Sequence, residues 1–172
     1  WKFLFNKEGF INNLIAPFGI GPFNWLGSPN TAMITIIVLT VWQFGSSMIL
    51  FLAALKQIPQ ELYEAALIDG SGRIRIFFRI TLPMITPIVL FNIIMQMINA
   101  FQEFSGPYLI TKGGPMKSTY LYGLFIYDSA FSYLKMGYAS ALSWIMFIVI
   151  MIVTVIILGS SRYWAFYQDG EQ

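Results

Sequence analysis

A row of polar side chains in an otherwise apolar stretch is the first set of residues whose types and spacing could do chemistry. The row consists of Asn92, Gln96, Asn99 and Glu103, which are spaced by four, three and four positions. At about 100° per residue, these side chains fall within roughly 60° of one another on a helix. Because amide and carboxylate groups are costly to expose to lipid, the row is expected to face protein or water. It could line the path of a polar solute, or it could form hydrogen bonds between helices.

Residues 61–83 form a second, charged set between two long apolar runs. Pro59 suits a first helical turn, and Glu61 and Glu64 suit the N-terminal half of a helix because of the helix dipole. The rest of this predicted helix is mostly apolar: Leu62, Tyr63, Ala65, Ala66 and Leu67. Outside the bilayer, such a helix docks in a partner's groove or rests on lipid headgroups.

Gly70 is predicted to end this helix, because glycine readily adopts the left-handed conformation of a helix stop. Ser71 can cap a second short helix that carries three arginines, Arg73, Arg75 and Arg79. The segment is therefore predicted to be a helix, a glycine turn and a second helix.

The other elements must hold both sets in a membrane. Of the 172 residues, 57% are hydrophobic and only 10% are charged, whereas soluble domains contain about 25% charged residues. Three runs are long enough to cross a bilayer core of about 30 Å: 31–55, 83–103 and 136–161. We predict an all-α polytopic membrane protein with three transmembrane helices.

The connecting segments are predicted to lie at or outside the membrane surface. Residues 1–30 contain many prolines and glycines and form an interfacial loop, while 56–82 form a loop and 162–172 a short tail. Loop 104–135 includes a tyrosine-rich stretch, 118–127, that is too short to span and is expected to be an interfacial helix. Pro87, near the start of the second span, predicts a kink whose freed backbone groups neighbouring helices can satisfy.

Basic residues do not orient the chain in the membrane. Five lie on the side of the 56–82 loop and the tail, namely Lys56, Arg73, Arg75, Arg79 and Arg162. Five lie on the other side, namely Lys2, Lys7, Lys112, Lys117 and Lys135. The count is a tie, although the density of charge in 56–82 favours the cytoplasm for that loop.

Several chemistries are excluded by composition. The chain has no cysteine and no histidine, which removes thiol nucleophiles, histidine acid–base relays and Cys/His zinc sites. It has no phosphate-binding GxxxxGK[ST] loop, and its net charge of +2 does not indicate a nucleic-acid partner. We predict no catalytic residue, metal or cofactor, and only Glu103 would offer an acid to an intramembrane enzyme.

The spacing of the charged segment resembles a long motif. Glu64-Ala65-Ala66, three further residues, Gly70, nine further residues and Ile80-x-Leu82-Pro83 match the EAA motif of permease subunits of binding-protein-dependent ABC importers. The stretches FLAALKQIPQELYEAALIDG, LITKGGPMKST and MGYASALSW are similar to the carbohydrate-uptake branch. The resemblance covers essentially the whole chain and corresponds to the C-terminal half of a permease, so N-terminal spans are expected to be absent.

In that family the segment is a cytoplasmic coupling helix, seated in a cleft of a separate ATPase subunit that binds ATP and magnesium. The resemblance implies that the coupling residues are Glu64, Ala65, Ala66, Gly70, Ile80, Leu82 and Pro83. Glu64 would pair with a basic residue of the ATPase, the alanines would permit close approach, and the last three would fix how the loop enters the next helix. The 56–82 loop and the 162–172 tail would then be cytoplasmic.

The resemblance also implies a function and partners. The chain would be part of an ATP-driven importer, in which Asn92, Gln96, Asn99 and Glu103 hydrogen-bond sugar hydroxyls, with an interfacial position as the alternative for Glu103. Trp42 and Tyr108 could stack on a sugar ring, but we favour an interface or packing role for each. Its partners would be ATP-binding subunits, a second permease and an extracytoplasmic solute-binding protein, in a bacterial inner or plasma membrane. The alternatives are an importer of a non-sugar solute such as a glycerol phosphate, and an ion-coupled carrier or channel.

Overall fold

Helices joined by short connections make up the chain, for which a computed structural model describes residues 1–19 and 21–164. No β-strand occurs in those residues. The α-helices are α1 (Phe10–Ile15), α2 (Pro29–Trp42), α3 (Gly45–Gln57), α4 (Gln60–Ile68), α5 (Arg73–Ile76), α6 (Leu82–Phe101), α7 (Tyr122–Tyr127) and α8 (Met136–Ser161). A 3-10 turn covers Ala16–Phe18, and π-helical turns cover Phe77–Thr81, Pro107–Thr111 and Asp128–Ser132. The predicted all-α class is confirmed.

Two helical stretches are each long and apolar enough to cross a membrane. One is Arg73–Phe101, which joins α5, a π-helical turn and α6, and the other is α8. Helices α2 and α3 meet the same criterion only as a pair, which gives a third, broken span. The number of spans therefore agrees with the three predicted if this pair is one span.

The predicted span 31–55 is not one continuous helix. Helix α2 begins at Pro29, a residue type suited to the first helical position, and ends at Trp42. Gln43 and Phe44 interrupt the helix before α3 begins at Gly45. Glycine disfavours a helix interior by about 1 kcal/mol relative to alanine, and the serines that follow compete for backbone hydrogen bonds.

Within α6, a hydroxyl group compensates for the proline. Pro87 has no N–H, so the carbonyl of Pro83 lacks its usual partner one turn later. The hydroxyl of Thr86 donates to that carbonyl oxygen at 2.6 Å. The freed carbonyl is thus bonded by the adjacent residue of the same helix, where we had expected a neighbouring helix.

Contacts divide the chain into two units, and the first contains residues 1–43 and 99–148. Its buried apolar side chains include Phe5, Ala32, Ile36, Leu39, Leu124, Ala139 and Leu142. The hydroxyl of Tyr122 donates to the carbonyl oxygen of Leu142 at 3.0 Å, which ties α7 to the first part of α8.

The second unit contains residues 44–98 and 149–172, of which the structure describes those up to 164. Its buried apolar side chains include Ile58, Ala66, Ile76, Ile85 and Leu90. The predicted tail 162–172 lies mostly outside the described residues, since only 162–164 are described.

Short helices occupy the predicted interfacial loops. The proline- and glycine-rich residues 1–30 contain only α1, the 3-10 turn and the beginning of α2 among the described positions. The tyrosine-rich stretch predicted at 118–127 forms α7 from Tyr122 and continues as a π-helical turn to Ser132. A short helix in this loop was therefore predicted correctly, but its start lies four residues later.

Candidate functional site

Helix α4 begins the segment that carries the EAA spacing. It is preceded by Pro59 in an extended conformation (φ −59°, ψ 133°), and it has Glu61 in its first turn. The carboxylate therefore lies near the positive end of the helix dipole, where negative charge is stabilised. Pro59 was predicted to lie in the first helical turn, but it lies one position before the helix, at the N-cap.

At the end of α4, Gly70 makes a tight turn with φ +73°. The amide of Gly70 donates to the carbonyl oxygen of Leu67 at 3.0 Å, and the amide of Ser71 donates to that of Ala66 at 2.9 Å. This pair of bonds is a Schellman motif, which satisfies carbonyls that a helix end leaves without partners. The helix stop predicted at Gly70 is confirmed.

The predicted cap at Ser71 is wrong. Helix α5 has Gly72 at its N-cap, and no side chain caps it. The amide of Ser71 is already bonded in the turn after α4. The expected second short helix is also not separate, because α5 continues through the π-helical turn Phe77–Thr81 into α6.

Contacts of α4 decide which of its residues are presented outward. The hydroxyls of Tyr63 and Thr81 lie 3.0 Å apart and form a hydrogen bond. Ala66, three residues after Tyr63 and so on the same side of α4, is buried. Glu64 and Ala65 are exposed. Ile68, also exposed at 87%, shares the outward face with them at helical spacing. Of the two alanines of the motif, only Ala65 is presented for contact with another protein.

The last three predicted coupling residues lie where the turn passes into the long helix. Ile80 is half-buried within the π-helical turn, and Leu82 and Pro83 are half-buried at the start of α6. Because α5, the π-helical turn and α6 are continuous, Pro83 lies inside the Arg73–Phe101 helix, directly after the π-helical turn, where its missing N–H removes one backbone hydrogen bond. These residues therefore occupy the junction between the exposed segment and the span.

The polar row on α6 divides according to its hydrogen-bond partners. Asn92 is buried, at 6% exposure, and its amide group donates to the carbonyl oxygen of Ile88 on the same helix at 3.0 Å. Gln96 donates to the hydroxyl of Ser47 on α3 at 2.8 Å. The bond from Gln96 to Ser47 is a hydrogen bond between two helices, which was one of the two alternatives proposed for the polar row.

Asn99 and Glu103 are placed differently. Asn99 is exposed in the last turn of α6. Glu103 lies beyond the helix, which ends at Phe101. One carboxylate oxygen of Glu103 accepts a hydrogen bond from the amide of Gly106 at 2.8 Å. The structure thus gives Glu103 a turn-forming role that helical periodicity did not predict.

A cavity of about 580 Å³ lies in the first unit beside Glu103. Its polar lining residues are Lys2, Thr40, Gln43, Glu103 and Ser105, and its apolar lining residues include Trp1, Ile36, Leu39, Leu109 and Ile110. A concave, largely apolar space with a few convergent polar groups is the usual form of a small-molecule site. Of the four residues in the predicted polar row, Glu103 is the one that lines this cavity.

The two aromatic residues considered for sugar stacking, Trp42 and Tyr108, have different surroundings. Trp42 is 76% exposed and makes an edge contact with Trp1, with ring centroids 6.0 Å apart. Tyr108 stacks on Phe104 at 4.9 Å and contacts Tyr127 edge-on at 5.1 Å. Trp42 has a free face beside a residue that lines the cavity, whereas Tyr108 belongs to an aromatic cluster.

Asn12 is a buried side chain that the sequence did not single out. It is 4% exposed, and it donates to the carbonyl oxygens of Lys7 and Phe23 at 2.8 Å each. Its side-chain oxygen accepts from the amide of Phe23 at 3.2 Å and from the indole N–H of Trp25 at 2.9 Å. Asn12 therefore fixes the N-terminal loop, and no local pattern marks it, because its partners are up to 13 positions away.

Loop 104–135 contains a second hydrogen-bonded polar group, formed by the half-buried side chains of Tyr120 and Asp128. The hydroxyl of Tyr120 donates to Asp128 at 2.7 Å, and that of Ser132 donates to the other carboxylate oxygen at 3.0 Å. Burial and then the bond to Asp128 raise the pKa of Tyr120 to about 12. The phenol therefore stays protonated and keeps donating.

These features define a class of protein: an all-helical membrane subunit with a helix exposed between two spans and, near the end of one span, a largely apolar cavity with a few polar groups. The chain belongs to the family described as binding-protein-dependent transport system inner membrane component, which matches residues 4–165. The predicted family is confirmed, and it is a family of transport components, not of catalytic subunits.

Proteins from bacteria and archaea have sequences similar to this chain. The chain is 46% identical over 175 residues to the probable ABC transporter permease protein YesP of Bacillus subtilis (strain 168), with 100% of this chain and 57% of that protein covered. It is 36% identical to the trehalose/maltose transport system permease protein MalF of Thermococcus litoralis, with 95% and 56% covered. The chain thus spans little more than half the length of these relatives.

A solved structure shares the fold. A chain of a bacterial ABC transporter involved in the import of the acidic polysaccharide alginate superposes with a TM-score of 0.80 at 24% identity, with 94% of this chain and 57% of that chain covered. The same transporter was solved in complex with an alginate pentasaccharide-bound periplasmic protein. At this identity the likeness establishes the fold alone.

Proposed function

We propose that the chain is part of the membrane-spanning permease of an ATP-driven sugar importer and that α4 couples it to a separate ATPase subunit. The observation that carries the proposal is α4 itself. It lies between membrane-spanning helices, is fixed at its end by the Schellman turn at Gly70, and presents Glu64, Ala65 and Ile68 outward. An exposed short, mostly apolar helix with two carboxylates, Glu61 and Glu64, suits a groove of a partner protein.

The fixed position of α4 is what allows it to transmit motion. The bond between Tyr63 and Thr81 joins α4 to the π-helical turn that continues into α6. A displacement of α4 by the ATPase would therefore move α6 as well, and with it the spans that open alternately to the two sides. ATP and magnesium would be bound by the ATPase.

A neutral sugar is the substrate class that we propose. Support comes from relatives named for trehalose/maltose transport and from the cavity next to Glu103, whose amide, hydroxyl and carboxylate groups can hydrogen-bond hydroxyls. The predicted spans 31–55, 83–103 and 136–161 contain no lysine or arginine, and the cation that lines the cavity, Lys2, is accompanied there by the carboxylate of Glu103. This balance of charge favours a neutral solute over a glycerol phosphate. Family membership favours an importer over an ion-coupled carrier or channel.

The partners follow from the same proposal. A second permease subunit would complete the path, and a periplasmic solute-binding protein would deliver the sugar, as supported by the complex of the alginate importer. Loops 1–30 and 104–135 would then face that protein, 56–82 would face the cytoplasm, and the membrane would be the bacterial inner or plasma membrane.

The experiment that tests the coupling role changes the outward face of α4 in the full-length permease. Glu64→Lys combined with Ala65→Trp should abolish co-purification of the ATPase while leaving membrane insertion unchanged, because it places the wrong charge and a bulky ring in the contact. Glu8→Lys, an equal charge reversal in the N-terminal loop, is the matched control. Normal ATPase assembly and sugar uptake by the α4 variant would contradict the proposal.

A further inference from the structure

We propose that an arginine-lined surface at the start of the Arg73–Phe101 helix binds the headgroup of an anionic phospholipid. This surface, here called the arginine seat, is a concavity lined by Gly72, Arg73, Ile74, Arg75, Phe78 and Arg79. All of these residues lie in the second unit. The outward residues of α4 do not line the seat, so the inference is independent of the coupling role and of the transported solute.

Charge is the first argument for the seat. Arg73, Arg75 and Arg79 are all exposed, and all three line one concavity. Arg75 and Arg79 are four residues apart and are therefore neighbours on a helix surface. The described lining contains no acidic side chain. A guanidinium group can donate two parallel hydrogen bonds to the oxygens of one phosphate, so both its shape and its charge favour the contact.

Depth in the membrane is the second argument. Helix α6 has 20 uncharged residues, which at about 1.5 Å per residue gives about 30 Å, the thickness of the hydrocarbon core. Arg79 precedes Leu82 by three positions and Arg75 by seven, which places them about 4.5 and 10 Å beyond that core. Lipid headgroups occupy roughly the first 5–8 Å on either side of the core, so the backbone of Arg79 lies within this zone and that of Arg75 lies just beyond it.

Exposed apolar side chains next to the arginines are the third argument. Ile74 is 77% exposed and Phe78 is 61% exposed, and both line the seat. A free phosphate ion would gain nothing from these side chains. A phospholipid would use them, because its phosphate can lie on the arginines while its glycerol and upper acyl chain cover Phe78.

The test measures phospholipid affinity by native mass spectrometry of the full-length permease in its complete transporter. The probes are phosphatidylglycerol and phosphatidylcholine, and inorganic phosphate serves as competitor. Arg75→Gln combined with Arg79→Gln should weaken phosphatidylglycerol binding about 30-fold, since each cation near the membrane contributes roughly fivefold. Phosphatidylcholine affinity should not change. Phe78→Ala should weaken phosphatidylglycerol binding, and inorganic phosphate should not displace the lipid.

A matched control removes the same charge elsewhere. Lys56→Gln combined with Arg162→Gln takes two exposed positive charges from the second unit but leaves the seat intact, so phosphatidylglycerol affinity should be retained. An equal loss in both double variants would mean that diffuse surface charge attracts the lipid, and would overturn the proposal. Displacement by inorganic phosphate would identify a simple anion site and would also overturn it.

A further outcome concerns proteins. If the Arg75→Gln, Arg79→Gln variant kept its phosphatidylglycerol affinity but lost the ATPase subunit, the seat would be a protein-docking surface, and the lipid proposal would be wrong. Circular dichroism of this variant, together with the variant in which both arginines become lysine, separates loss of the seat from loss of folding.

Discussion

Gly70 and Gly72 are two positions apart in the turn between α4 and α5, but their backbones have different requirements. Gly70 has φ +73°, in the left-handed region that residues with a Cβ rarely adopt. Gly72 has φ −71°, which any residue can adopt. A Cβ at either position would meet nothing within 4 Å. Since neither position restricts the space for a side chain, a comparison of the two glycines isolates the effect of backbone conformation.

Replacing Gly70 by alanine should therefore destabilise the turn after α4, by about 1–2 kcal/mol from the left-handed backbone alone. Gly72→Ala should change stability little and serves as the control. Thermal unfolding of the two purified variants in detergent measures the difference, and ATPase co-purification reports whether α4 keeps its place. Equal melting temperatures for both variants would show that the turn does not depend on Gly70.

Gln96 tests which interpretation of the polar row holds. Its bond to Ser47 at 2.8 Å predicts a coupling free energy of about 0.6 kcal/mol between the two residues, the average for interhelical hydrogen bonds in membranes. A double-mutant cycle of Gln96→Leu and Ser47→Ala, followed by thermal unfolding, measures it. If Gln96 also contacts the solute, Gln96→Leu should reduce uptake far more than Ser47→Ala. Equal effects on uptake would assign Gln96 to packing alone.

Helical periodicity placed the polar row on one face but did not identify what that face meets. Asn92 bonds its own backbone, Gln96 bonds a residue 49 positions away, and Glu103 bonds a loop amide. A sequence pattern contains the angle between side chains of one helix, whereas the partner depends on which other element packs there. For the same reason the burial of Ala66, in contrast to the exposure of Ala65, required the tertiary structure.

At the level of elements, the proline of α6 shows how a span tolerates a helix breaker. The hydroxyl of Thr86 replaces the missing amide bond to the carbonyl of Pro83. In hydrocarbon an unsatisfied carbonyl costs several kcal/mol, so the hydroxyl of Thr86 stabilises the helix across Pro87 by bonding the carbonyl of Pro83.

Thr86→Val should consequently destabilise the protein by about 1 kcal/mol or more, because the Pro83 carbonyl loses its donor. Adding Pro87→Ala should restore much of the stability, since the backbone N–H introduced at position 87 can donate to that carbonyl. Unfolding of the two variants, with Pro87→Ala alone as the control, checks this. Failure of Pro87→Ala to rescue Thr86→Val would mean that the hydroxyl acts through another contact.

The boundaries of elements were predictable where one residue type dictates them. The stop at Gly70 is such a case, because its conformation is a property of glycine. The break at Gln43 and Phe44 and the continuity of α5 with α6 were not predicted. Both depend on how turns and π-helical segments are accommodated by packing, and runs of apolar residues look the same in a straight and an interrupted helix.

For the molecule as a whole, most of α8 faces outward. In its most apolar 18-residue stretch, only 6% is buried within the structure. Its exposed side chains include Trp144, Phe147 and Val155. Apolar side chains of a span require lipid or other helices around them. Because the chain spans 56–57% of the two relatives compared, helices from the remainder of such a permease are suitable neighbours.

The sequence by itself determined the membrane class, the all-α fold and the turn at Gly70, because hydrophobicity, helical length and glycine's backbone freedom are properties of single residues and short spacings. It indicated the family through the resemblance of the spacing from Glu64 to Pro83 to a known motif. The tertiary structure alone decided which of the predicted coupling residues face outward, that Gln96 bonds α3, and that Glu103 borders a cavity instead of continuing a helical row. It also placed three arginines around one concavity. Such features depend on contacts between positions distant in the sequence, and no local pattern records those contacts.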